Sequence, residues 1–103
     1  MGETRPVKLK FTPQALAEFE EILFQIDHED PFAAARVKAR IAAILSLLAD
    51  YPRSGIITSS AGLRRIVARP YPYVIFYEIH SDAVVIIGLR HGARDPATMP
   101  RHR

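Results

Sequence analysis

The sequence predicts an α+β domain in the order strand, helix, helix, strand, strand, strand, with a helical hairpin packed on one face of a mainly antiparallel four-stranded sheet. Three observations predict it. A short run near the start alternates apolar and basic residues. Two stripes of helical period follow, each introduced by a capping residue and a proline. Three apolar runs then succeed one another across links short enough to demand a reversal of direction.

The first strand is "VKLKF", Val7 to Phe11, whose period of two turns one face toward a core. Thr12 can cap a helix that begins at Pro13, where a missing N–H costs nothing, and Leu16, Phe19, Leu23 and Ile26 give it an apolar stripe that ends near His28. Asp30-Pro31 repeats the signal, and Val37, Ile41, Ile44, Leu45 and Leu48 carry a second helix to about Asp50, so the short connection implies a hairpin. "YPRSGIITSSAG", Tyr51 to Gly62, is rich in turn residues and reads as a loop inside the domain. Strands are expected over Leu63 to Arg69, Tyr73 to Ile79 and Ala83 to Arg90, an antiparallel meander with turns at 69–72 and 80–82. The ends, residues 1–5 and 97–103, are expected to be flexible.

Composition bounds the function. One domain over residues 1–103 is expected, with 49% hydrophobic and 24% charged residues and no apolar run approaching the ~20 needed to span a bilayer. The start, "MGETRPVKLKF", lacks the apolar core of a secretory leader, and the expected location is the cytoplasm, away from membranes. Absence of cysteine excludes disulfides and thiolate chemistry. His28, His80, His91 and His102 show no ligand spacing, and neither a glycine-rich phosphate loop nor a nucleophile elbow occurs, so no metal or cofactor is expected.

Charge is divided along the chain. Residues 1–50 carry 6 Lys and Arg against 8 Asp and Glu, whereas residues 51–103 carry 8 Arg against 3 Asp and Glu. All the later cations are arginines, whose planar fork suits a carboxylate or phosphate. The strand "YVIFYEI" offers Tyr73, Ile75, Tyr77 and Ile79 on one face and Val74 and Phe76 on the other. Two helices cover one face of such a sheet. The other is either an exposed apolar surface rimmed by arginine, which suits a partner, or is covered by the 51–62 loop through Ile56 and Ile57.

The element order, the strand "RPYPYVIFYEI" and the closing "IIGLRHGARDP" resemble the RelE/ParE superfamily of toxins from type II toxin–antitoxin modules, over about Val7 to Pro96. "PYVIFY" and "HGARD" are similar to the ParE-like branch, whose members are also called plasmid stabilisation proteins. The resemblance implies a growth-inhibiting toxin neutralised by a cognate ParD-like antitoxin that lays helical and extended segments along it. ParE-like toxins are associated with poisoning DNA gyrase without catalysis of their own; RelE-like toxins cut mRNA in the ribosomal A site. RelE-type nucleases place an arginine just after the tyrosine that opens the third strand, here Val74. A second arginine and a late catalytic tyrosine would fall near Gly92 and Thr98. These departures point away from a nuclease, and no catalytic residue is expected.

The alternative is a ribosome-dependent mRNA interferase using His91, Arg65 and Arg94, with the imidazole as acid or base. A non-toxic basic binding module of the same fold is a further alternative. The expected contacts to antitoxin or target are Arg65, Arg69, Tyr73, Tyr77, Arg90, His91 and Arg94, with direct nucleic-acid binding the less favoured mode. Each has a plainer explanation. Strand arginines can simply be a solvated edge, the tyrosines core residues, and His91 with Asp95 a closure of the strand end.

Overall fold

The computed structural model describes residues 7–92. Thr12 caps the first helix, α1 (Pro13–Glu29), by accepting the Ala15 N–H at 3.0 Å. One residue, Asp30, ends α1 and starts α2 (Pro31–Asp50): its backbone N–H returns to Ile26, and its carboxylate accepts the N–H groups of Phe32 and Ala33 at 3.0 and 3.2 Å. Proline at the first position of each helix fixes the entry without forfeiting a bond. The hairpin is therefore as predicted, but one apolar position differs. Leu16 is exposed, and Ala15 is the fully buried residue of α1. The small methyl lets the helix settle close to the sheet, with Phe19, Leu23 and Ile26 packed against the core behind it.

The sheet has five strands, ordered β1-β5-β4-β3-β2: β1 (Lys8–Phe11), β2 (Ile56–Ile57), β3 (Leu63–Val67), β4 (Tyr73–Ile79) and β5 (Ala83–His91). β1 runs parallel to β5 and all other pairs are antiparallel, so the predicted meander is present. The four-stranded expectation is corrected by β2, which forms within the 51–62 segment and pairs Ile56 with Arg65 and Ile57 with Arg64. The end of the strand expected over Leu63 to Arg69 is corrected as well. It stops at Val67, because Ala68 turns to donate to the Tyr73 carbonyl at 2.8 Å and Tyr71 closes back on Ala68 at 2.9 Å.

The helices cover one face of the sheet, where Val37, Ile41, Ile44 and Leu48 of α2 meet Ile75, Tyr77, Val84, Ile86 and Leu89. The opposite face has its own cluster of Leu63, Val74 and Phe76, flanked by Val67 and Ile87. Ile87 is the extra residue of a bulge in β5, where the partners of Phe76 and Tyr77 are Gly88 and Ile86. Ile56 and Ile57, 61% and 66% exposed, form the sheet edge instead of closing over this cluster. The loop cover is thereby ruled out for these two residues, and the bare apolar face is corrected at Val74 and Phe76, which are buried. Among the described residues no helix is long and apolar enough to cross a membrane, and no three acidic or histidine side chains gather as metal ligands.

Candidate docking face

Register places two of the predicted cations, Arg65 and Arg90, on the second face. Arg65 of β3 lies opposite Phe76, and Arg90 of β5 lies opposite Val74, so the two arginines flank the Val74/Phe76 pair from opposite sides across β4. Arg65 also borders a notch of about 180 Å³ with Gly55, Ile56, Val67 and Arg69, opened because β2 ends before β3 does. Arg69 sits in the turn after β3, and its carbonyl accepts Arg40 Nε of α2 at 2.6 Å. A third basic element is thus carried to the same edge. Arg40 is absent from the predicted set; its spacing of four from Arg36 on α2 is the signal that could have drawn attention to it.

Arg90 is held in place. Its Nε donates to Glu18 Oε2 at 3.0 Å, while Glu18 Oε1 accepts the Leu89 backbone N–H at 2.9 Å. β1 pairs with β5 only as far as Ile86, and beyond that point α1 takes over as the neighbour of the β5 edge. Thr12 begins this substitution, its N–H meeting Ile86 O and its hydroxyl Ile87 O. Glu18 continues it, and no sequence signal links it to a residue 72 positions later.

Tyr73 and His91 are directly paired between β4 and β5, their rings edge to face with centroids 5.3 Å apart. Both residues are half-buried. Tyr77 is different. It is fully buried, its hydroxyl accepts the Gly55 N–H at 2.8 Å and donates to Pro52 O at 2.7 Å, and it is thereby removed from the docking set. Burial raises its pKa above the ordinary phenol value, against the smaller lowering pull of the Gly55 N–H and the Arg64 charge. Arg64 joins this closure by donating to Gly55 O at 2.9 Å. Arg94 and Asp95 lie outside the described residues, as do Thr98 and His102.

The second face therefore carries two guanidinium groups on either side of the buried Val74/Phe76 pair, while Tyr73 and His91, one residue along, belong to the helix-covered face at the same end of the sheet. It can receive a partner that supplies carboxylates.

A family model described as the ParE toxin of the type II toxin–antitoxin system parDE matches residues 9–96. The chain is 38% identical over 79 residues to a Sinorhizobium fredii protein named as a candidate toxin, Y4kP, covering 77% of this chain and 82% of that one. It is also 38% identical over 84 residues to toxin RelE2 of Caulobacter vibrioides, covering 82% of this chain and 93% of the relative. In structure it is similar to a chain of the chromosomal ParDE system of P. aeruginosa, with a TM-score of 0.73 at 17% identity over 82% of this chain and 95% of that one. It is similar as well to a mutant of E. coli toxin RelE in its free state, with a TM-score of 0.67 at 14% identity over 89% and 90% of the two chains. These structural likenesses carry the fold, and the sequence matches carry the family: the chain belongs to the ParE toxin family of type II toxin–antitoxin systems.

Proposed function

We propose that this toxin arrests growth by inhibiting DNA gyrase, without catalysis of its own, and that a ParD-like acidic antitoxin neutralises it in the cytoplasm by covering the arginine-flanked face. The observation that carries the choice of gyrase over the ribosome is Val74. At the position where a RelE-type nuclease would present an arginine, this chain has an apolar side chain packed with Leu63 and Phe76, unable to stabilise a phosphorane. The neighbouring cation, Arg90, is engaged by Glu18.

Arg65, Arg69, Tyr73, Arg90, His91 and Arg94 are proposed as the contacts to antitoxin or target. Induced expression without antitoxin, read separately for DNA supercoiling and for translation, tests the assignment. Loss of supercoiling with translation initially intact is expected, and the reverse would overturn it.

A second reading, a ribosome-dependent mRNA interferase, is favoured by one observation: His91 is partly exposed at the end of β5 and seated against Tyr73, where an imidazole could move a proton. The relative named RelE2 is compatible with it.

A further inference from the structure

We propose that Glu18 makes the arginine face selective for a protein partner over nucleic acid, because it is a resident carboxylate that satisfies Arg90 and places a negative charge where a phosphate would have to sit. The inference deepens the toxin reading of this face and rests on it.

The contact is built from several sides. Glu18 accepts from Arg90 Nε at 3.0 Å, from the Leu89 N–H at 2.9 Å and from Gln14 Nε2 at 3.0 Å, so its carboxylate is anchored to both its own helix and the sheet. Gly88 makes the room. A Cβ there would lie 3.2 Å from Glu18 Oε1 and 3.5 Å from Arg90 Nη2, so the ion pair occupies the space that a side chain would fill. The two side chains retain only 23% and 21% of their exposure, and solvent screens such a pair less than a surface one.

Among the described residues Arg90 and Glu18 form one of two ion pairs, the other being His80 with Glu78; Arg65, on the same face, belongs to neither. The face is therefore graded across β4, from an arginine outside any described ion pair to a matched one. A folded partner can place one carboxylate at Arg65 and pass beside the ion pair. A nucleic-acid strand cannot choose in this way, since its charges repeat at every nucleotide and one of them would meet Glu18.

The test uses the purified full chain and a 20-nucleotide single-stranded RNA probe, with neither gyrase nor ribosome present, so its outcome does not depend on which target is correct. Glu18→Gln keeps an oxygen for the Leu89 N–H while removing the negative charge beside Arg90. If one further phosphate contact is gained, the salt slope should steepen by about 0.7, which corresponds to about eightfold tighter binding at 50 mM salt and about threefold at 200 mM. Gly88→Ala, which crowds the same pair from the other side, should move binding in the same direction. The gain should vanish in Glu18→Gln/Arg90→Ala. Folded variants that bind the probe no better than wild type would overturn the proposal, and so would a gain that survives removal of Arg90.

Discussion

Replacing Tyr77 by phenylalanine should cost far more than one hydroxyl suggests. The ring would still fill its place between the helices and the sheet, so the cavity term is negligible. What is lost is the pair of bonds that hold the 52–55 turn: Gly55 N–H to the hydroxyl at 2.8 Å and the hydroxyl to Pro52 O at 2.7 Å. The Gly55 side of this contact is buried, and stranding a buried donor costs about 1–3 kcal/mol; the Pro52 carbonyl is partly accessible and recovers some of its bond from water. The expected loss is about 2–3 kcal/mol, or a fall of roughly 10–20 °C in Tm for a domain of this size.

Urea unfolding of the free chain measures it directly. Hydrogen exchange at Thr58, whose N–H bonds Leu63 O next to β2, should report local opening before the global transition. The same substitution has a pH signature. Because burial raises the folded-state pKa above the ordinary value of 10.0, the neutral phenol contributes stability below that value which is lost as pH rises through the folded pKa. The wild type should lose more stability than Tyr77→Phe above about pH 10. A loss under ~0.5 kcal/mol at neutral pH, with unchanged exchange at Thr58, would refute the assignment of β2 to this hydroxyl.

Further outcomes follow from other contacts. Asp30→Ala removes one side chain that serves two N–H groups between the helices, and should lower stability by about 1 kcal/mol in urea unfolding. Reversing the charges of Arg65 and Arg94 together should weaken association with antitoxin or gyrase more than about tenfold in a titration, with a shallower salt dependence than the wild type. His91→Ala should leave growth arrest intact if the chain is a gyrase inhibitor; loss of arrest together with loss of mRNA cleavage would assign it to the ribosome. A ParD-like antitoxin should raise the Tm of the toxin in a concentration-dependent manner.

The parts of the fold that were legible in the sequence are those fixed by neighbours. Thr12-Pro13 and Asp30-Pro31 declare two helix starts because a cap needs only the next three residues, and the meander shows because its turns are short. β2 was not legible. Two residues cannot establish a period, and the strand exists because Tyr77 captures Gly55 across 22 positions. That same bond moved Tyr77 from surface to core, which alternation alone cannot decide when both faces of β4 are apolar. Leu16 and Ala15 exchanged roles because hydrophobicity predicts the larger residue inward, whereas close approach of α1 to the sheet selects the smaller. The arginines at 65, 69 and 90 were readable as a group; their companions Arg40 and Glu18 were not, since each joins them from a helix by a contact spanning 29 or 72 positions.

The placement of β5 has a consequence for how the toxin comes into being. It is inserted between β1 and β4, yet it is synthesised after every other described element, so β1 waits unpaired while the helices and the rest of the meander are made. Its parallel register with β1, joining Leu9 to Val84, is a contact between the two extremes of the described chain, the kind that forms late and slowly. A nascent or prematurely terminated chain lacking β5 has no Arg90, no seat for Glu18 and no completed second face. On the reading proposed above, the surface offered to an antitoxin is complete only once β5 docks, and the interval before that is when the apolar strands are most exposed to aggregation.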